Sequence, residues 1–388
     1  AYEIGVRLVG SEMCIRERYE AYMGKYHFII IGSGWRSLYY VRIAKAMPDI
    51  LRLDAMYCRT QEKADKMAEE FSIHTTTSIE ECVGYKPDFA VVAVNKTSIC
   101  DVSIEWMDRG ITVLSETPAA LDMDSLKKLY RYHMSDDKTD KKQVVAEQYR
   151  EYPYNKARIN LVNSGVLGDI SCLNISIAHE YHGFSLIRAY LGIKPDENYT
   201  VSGKIYEFPT TQTLTRYDKF TDGRTAPKKR CVAVFEFESG KVAWYDFDSE
   251  QYRSPIRKNM IKVQGVRGEL INNELYYLDE NNVGRKETIV TDINKVMTGN
   301  GNPNLAQVNE IKKIAFGDKI LYEPVWGLRG LSEDETATYL ITCPYCFIKQ
   351  YCRIRICQGI FQAIRRQCLS SAIFSCFAHK CGNCCFIF

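Results

Sequence analysis

The sequence predicts an α/β chain in two parts: an N-terminal doubly wound parallel sheet, then an α+β part built on a mostly antiparallel sheet. Three observations carry this. Residues 26–37, YHFIIIGSGWRS, pass from an apolar run through Gly32-x-Gly34 into a helix start. From there to Ala146, short apolar runs alternate with helical segments, the spacing of βαβ units. Beyond Ser164 the pattern turns to strands of period two with hairpin signals.

The first strand, residues 26–31, ends in Ile29, Ile30 and Ile31, a β-branched run suited to burial on both faces. A helix over about 35–47 stops before Pro48. Leu51–Tyr57 is a strand, Lys63–Phe71 a helix with alternating charge on its exposed face, Thr75–Thr77 a short strand and Ile79–Val83 helical. Asp88–Val94 reads as a buried strand, Asp101–Arg109 as a helix ended by Gly110, and Thr112–Ser115 as a strand. Asp122–His133 is a helix with Asp122 as N-cap, and Val144–Ala146 closes the series.

In the second part, Tyr154–Ser164 is a helix ended by Gly165, and Ile170–Ala178 alternates as a strand. Val201–Phe208, Cys231–Glu238 and Lys241–Asp248 follow, the last two flanking Ser239-Gly240 as a two-residue hairpin turn. Cys231, Ala233, Phe235 and Phe237 share one strand face. Ile261–Gln264, Glu269–Asn272 and Leu275–Leu278 are short strands. Residues 298–304, rich in Gly and Asn, form a flexible loop, and Leu305–Phe316 reads as a helix returning onto the body. No internal repeat is visible.

Length and ends set the expected organisation: 1–22 a non-native extension, 23–148 a nucleotide-binding domain, 149–340 a substrate and oligomerisation domain, 341–388 a foreign tail. GSEMCIRER in the first segment reads like translated library adapter, and Met23 offers a natural start. The tail has no acid after Glu335 and holds nine of the fifteen cysteines. Its two CxxC pairs, Cys343/Cys346 and Cys381/Cys384, admit a zinc ribbon, but a frame-shifted or read-through end fits the acid-free composition better. Six basic residues from Lys349 to Lys380 account for the net +3 and leave the remaining chain mildly acidic, against a nucleic-acid footprint. No apolar run reaches membrane length, no signal peptide is seen, and the scattered cysteines between Met23 and Leu340 suit a cytoplasmic protein with reduced thiols.

The glycine turn points to a phosphate-bearing dinucleotide. Gly32 permits the sharp turn, and Gly34 has no Cβ to hold a pyrophosphate away. The helix after it offers unpaired N–H groups and the positive end of its dipole. Ser37, small enough for close packing, stands where the usual third glycine would be. Trp35 and Arg36 can cover the adenine or pyrophosphate, although Trp35 can equally pack on the loop. At the end of the second strand there is no acid for the ribose, but Arg59 and Thr60, which suit a 2′-phosphate. That favours NADP modestly over NAD, while a solvated loop arginine remains the alternative.

Three segments together carry a resemblance: the glycine turn, Glu116-Thr117-Pro118 after a strand of the first part, and His179-Glu180-Tyr181-His182-Gly183 after a strand of the second. With Glu147-Gln148-Tyr149 at the crossover and Gly165-x-Leu167-Gly168-Asp169-Ile170, they resemble the Gfo/Idh/MocA family of NAD(P)-dependent oxidoreductases over about residues 25–335. The resemblance implies a Rossmann domain, a second domain whose open sheet pairs with another subunit as a homodimer or homotetramer, and sugar, cyclitol or related polyhydroxylated substrates. It implies His182 as catalytic acid/base; His179 is read as a weaker substitute or, equally, a strand-end residue. It places Glu116, Thr117 and Asn95 at the cofactor, and Tyr149 and Tyr181 are expected at the substrate. It also marks two departures: Thr117 stands where a lysine is usual and Ala178 where an aspartate orients the histidine. Those leave open a family member that binds cofactor without ordinary dehydrogenation, as a sensor, inactive subunit or non-redox enzyme. The two histidines lack a third ligand, so no metal is expected.

Overall fold

A computed structural model describes residues 26–135, 143–194, 196–215, 218–297, 307–324 and 331–342. The proposed extension 1–22, the loop 298–304 and the CxxC pairs lie outside these residues.

The first sheet contains β1 (Tyr26–Ile31), β2 (Leu51–Tyr57), β3 (Thr75–Thr76), β4 (Phe89–Val92), β5 (Val113–Ser115) and β6 (Gln143–Val145). All its pairings are parallel, in the order β3-β2-β1-β4-β5-β6. The order reverses beside β1, so the crevice above its carboxyl end is a natural ligand position. Five helices connect these strands: α1 (Ser37–Ala46), α2 (Gln61–Phe71), α3 (Ile79–Gly84), α4 (Ile99–Asp108) and α5 (Met123–Met134). Alternation along β1 divides the core. Phe28 and Ile30 pack with Tyr40, Val41 and Ala44 of α1, whereas Ile29 and Ile31 pack with Trp106 and Met107 of α4. Asp122 caps α5 as expected, accepting from the Ser125 N–H at 2.8 Å.

After α6 (Pro153–Asn163) comes β7 (Ile170–Ser176), then α7 (Glu180–Leu191). The second sheet adds β8 (Tyr199–Thr211), β9 (Thr225–Phe237), β10 (Val242–Asp248), β11 (Met260–Gly265), β12 (Gly268–Ile271), β13 (Glu274–Leu278) and β14 (Gly284–Thr288). Its order is β14-β13-β12-β11-β7-β10-β9-β8, antiparallel except for β7 with β10. Leu173, Ile175, Phe235, Tyr245 and Val263 form its buried face with Leu186 and Ile187 of α7. Trp244, Tyr206 and Phe208 are exposed.

Two expectations are corrected here. Leu305–Phe316 is not a helix. Its described part is β16 (Gln307–Phe316), the middle strand of a small antiparallel sheet with β15 (Val290–Met297) and β17 (Lys319–Tyr322). The β15–β16 register shifts between Asp292 and Ile293, leaving Lys312 as the extra residue. A bulge of this kind returns Ile311 and Ile314 to the same buried side with Lys312 and Lys313 exposed between them, so the strand shows a helix-like spacing of three. The hairpin after β9 also differs. Phe237 and Lys241 close a three-residue loop, Glu238–Gly240, with Gly240 at φ +80°, the left-handed position that loop length demands.

The chain finally returns to the first sheet. α8 (Glu333–Thr342) lays Tyr339, Leu340 and Ile341 into the core beside α1. Among the described residues no helix is long and apolar enough to cross a membrane.

Gly32 is tightly packed at the glycine turn. Its φ is +108°, and a Cβ there would lie 2.5 Å from the Ala93 carbonyl oxygen. Gly32→Ala is therefore expected to lower stability by about 2–4 kcal/mol, read from urea unfolding.

Candidate active site

The site residues come from the carboxyl ends of parallel strands. β1 leads into Gly32–Arg36, β2 into Arg59–Thr60, β4 into Asn95–Lys96, β5 into Glu116-Thr117-Pro118 and β6 into Glu147. β7 leads into His179–His182 at the start of α7.

The nucleotide half has a fitting cradle. A Cβ on Gly34 would meet nothing within 4 Å, so that side of the turn is open. The Ser37 hydroxyl donates to the Gly32 carbonyl at 2.9 Å and locks the turn from behind. No side chain caps α1 and no acid occupies its first turn, leaving a helix N-terminus suited to phosphate. Trp35 is half exposed and meets Tyr39 edge-on at 5.5 Å. Arg59 is exposed. The Thr60 hydroxyl accepts the Lys63 N–H at 3.4 Å as the α2 cap. Asn95 Oδ1 accepts from the Thr97 N–H at 3.1 Å and faces the Thr97 hydroxyl at 3.2 Å, shaping the loop after β4.

Two residues expected at the cofactor are directed elsewhere. The Arg36 guanidinium does not cover the adenine or pyrophosphate. Its Nε donates to Glu116 Oε1 at 2.6 Å, Nη1 to Asp334 at 3.2 Å and Nη2 to the Thr338 hydroxyl at 2.8 Å. Tyr40 also donates to Glu116 Oε1, at 2.6 Å. Both charged groups are buried, and an unpaired charge there would be costly, so each consumes the other. Burial pulls the Arg36 pKa down, but Glu116 and Asp334 outweigh it and hold the group above its ordinary value.

The second half is a cluster of rings around His182. Its ring centroid is 4.2 Å from Tyr149, 4.4 Å from Tyr181 and 4.8 Å from His179. His182 Nδ1 lies 2.6 Å from Glu147 Oε2, and the imidazole is buried. A carboxylate at Nδ1 fixes the ring and its N–H there, leaving Nε2 to accept a proton. Ala178 thus does not leave the histidine without an orienting acid. The acid arrives from β6, 35 positions earlier in sequence. Ala178 itself is fully buried, and its carbonyl accepts from the Tyr245 hydroxyl at 2.9 Å. The same hydroxyl accepts the Glu180 N–H at 2.9 Å, stapling the turn before α7. Gly183 makes room for that ring, since a Cβ would lie 2.4 Å from Tyr245.

His179 is held by Tyr252, which bonds its Nδ1 and accepts its backbone N–H at 3.0 Å, and its Nε2 is 3.2 Å from the Tyr181 hydroxyl. Burial, with His182 and Lys96 adding repulsion, lowers its pKa to about 3, so it is neutral at physiological pH. The Tyr181 hydroxyl also bonds Thr117. Glu180, at a strained φ of +38°, has its carboxyl pushed up to about 7 by burial, with Lys96 opposing. Glu147 as partner, Tyr252, Glu180 and Lys96 were not singled out from sequence. Glu147 carried a signal, being an acid directly after the last strand of the βαβ series. Among the described residues no group of three or more His, Cys, Asp or Glu is placed to hold a metal ion.

Residues 26–187 match the model of the Gfo/Idh/MocA oxidoreductase family, with its NAD-binding Rossmann fold. No curated protein matches the sequence. Similar solved structures include an oxidoreductase from Sinorhizobium meliloti, with TM-score 0.53 and 15% identity over 82% of this chain and 88% of that one. An oxidoreductase from Agrobacterium radiobacter in complex with NAD+, L-tartaric acid and magnesium has TM-score 0.52 and 14% identity over 83% and 87%. An NAD-binding oxidoreductase from Klebsiella pneumoniae has TM-score 0.52 and 15% identity over 69% and 80%. At these identities the likeness is one of fold.

Arg36→Met leaves Glu116 buried without its guanidinium and is expected to cost about 3–5 kcal/mol. Adding Glu116→Leu should recover part of that loss in a urea-unfolding cycle.

Proposed function

We propose, from the match of residues 26–187 to the Gfo/Idh/MocA family of NAD-binding oxidoreductases, that this chain moves a hydride between a nicotinamide nucleotide and a carbinol carbon of a polyhydroxylated small molecule, a sugar, cyclitol or relative. The observation that carries the reading is the His182–Glu147 pair, 2.6 Å apart, with Glu147 at the same carboxyl edge of the first sheet as the open glycine turn. The nucleotide, when bound, supplies the hydride-accepting ring.

The protein residues then have separate tasks. Gly34 and the start of α1 hold the phosphates, and Trp35 borders them. Glu147 holds the His182 ring so that Nε2 takes the hydroxyl proton as the carbinol is oxidised, or returns it in the reverse direction. Tyr149 packs against one side of the ring, and Tyr181 packs against it with its hydroxyl among His179, Thr117 and Lys96 at the substrate side proposed here. His179 is a poorer base, because both its ring nitrogens already face tyrosine hydroxyls. Glu116 acts through Arg36 and the backbone of Thr117, as a positioning residue. The Thr117 and Ala178 departures had favoured a cofactor-binding protein without dehydrogenation; Glu147 answers the second of them and favours the enzyme.

Arg59, exposed at the end of β2, supports acceptance of a 2′-phosphate and hence a modest preference for NADP. The exposed Trp244, Tyr206 and Phe208 on the second sheet support pairing with another copy of the chain. The free thiols of Cys58, Cys82, Cys100, Cys172 and Cys231 support a cytoplasmic setting.

His182→Ala is expected to lower kcat by about 10²–10⁴-fold, and Glu147→Gln by about 10²-fold, with nucleotide affinity unchanged. Steady-state rates over a sugar and cyclitol panel, beside nucleotide titration, check both. Arg59→Asp should weaken NADP+ by about 10-fold and leave NAD+ within about 2-fold, measured by fluorescence titration.

A further inference from the structure

Lys96 follows Asn95 in the loop after β4, a loop held by the Asn95 contacts to Thr97. Its side chain crosses from the first sheet's loop to α7. Nζ lies 3.5 Å from the Tyr181 hydroxyl and 5.7 Å from that ring's centroid. The phenol it touches stays protonated, because burial pushes the Tyr181 pKa up. The contact is therefore not an ion pair, and the ammonium charge is not neutralised by Tyr181. Lys96 is itself exposed, so its remaining N–H donors are open to solvent.

We propose that Lys96, with the Tyr181 hydroxyl beside it, holds a carboxylate of the substrate, which makes the substrate class a polyhydroxylated acid rather than a neutral sugar or cyclitol. The inference rests on the oxidoreductase reading above and deepens it. A lysine ammonium and a tyrosine hydroxyl side by side match the two oxygens of a carboxylate. The local charge limits the anion. One lysine stands beside the Glu180 carboxyl, which gives at most a single positive charge and suits a monoanion better than a phosphate dianion. The position suits the chemistry as well. The Tyr181 ring is shared by both groups, with Lys96 Nζ 5.7 Å and the His182 ring 4.4 Å from its centroid, so a carboxylate held here puts a neighbouring carbinol near His182.

The test uses full-length protein loaded with NAD+ or NADP+ and reads binding by calorimetry, independent of turnover. The probes are D-glucuronate and D-galacturonate, their neutral sugars D-glucose and D-galactose, and D-glucose 6-phosphate. At least one acid should bind about 10-fold or more tightly than its neutral partner. Lys96→Gln should abolish that difference, and Lys96→Arg should keep most of it, with nucleotide affinity unchanged in both. Equal binding of acids and neutral sugars, binding of neither acid, or an acid preference that survives Lys96→Gln would overturn the proposal. Tighter binding of the phosphate than of both acids would overturn the carboxylate class. Failure of the protein to take up any nicotinamide nucleotide would instead overturn the oxidoreductase reading, and is seen before any probe is added.

Discussion

The architecture depends on one buried carboxylate. Glu116, at the end of β5, takes Arg36 and Tyr40 on the same oxygen, and Arg36 reaches on to Asp334 and Thr338 of α8. A charge in such a place persists only when it is paired and hydrogen-bonded. The pairing fixes the helix after the glycine turn against the strand that carries Thr117. It also fixes where the chain's last described helix returns, with Arg42 and Glu335 forming a second link. The turn that fits a dinucleotide is thereby held from behind by charge, and from within by Gly32 packed on the Ala93 carbonyl.

The second half of the site is built on a different principle. His182 sits among aromatic rings, with a single carboxylate at Nδ1. The sheet beneath contributes Tyr245, which staples the turn at Ala178 and Glu180 and requires Gly183 beside the histidine. The acid comes from the first sheet and the imidazole from the helix after β7, so the pair exists only when the two are packed together. That separates the two functions cleanly. On the proposed reading, backbone and helix end would hold the nucleotide, and side chains brought together by tertiary structure would move the proton.

Much of the fold was legible because local rules and burial agreed. The β1 run, the glycine turn, the alternation through β6 and the Asp122 cap follow from strand burial, glycine geometry and capping. Leu305–Phe316 was misread because a bulge gives a strand the buried spacing of a helix, and no residue there announces the bulge. The site was only half legible. Gly32, Gly34 and His182 declare themselves by type and position. Arg36 misled because an arginine beside a phosphate turn is an obvious anion ligand, and only tertiary structure brings Glu116, Asp334 and Thr338 to it. The pairing of Glu147 with His182 was hidden because the two are 35 positions apart, and Lys96 because the loop that aims it is fixed by neighbours rather than by pattern.

The most direct test of this account is a crystal structure of the protein with NAD+ or NADP+ bound. It should place the pyrophosphate over Gly34 and the N-terminus of α1, with the nicotinamide ring turned toward His182 Nε2 and Arg36 still on Glu116. A nucleotide bound away from the glycine turn, or an Arg36 that leaves Glu116 for the pyrophosphate, would contradict it.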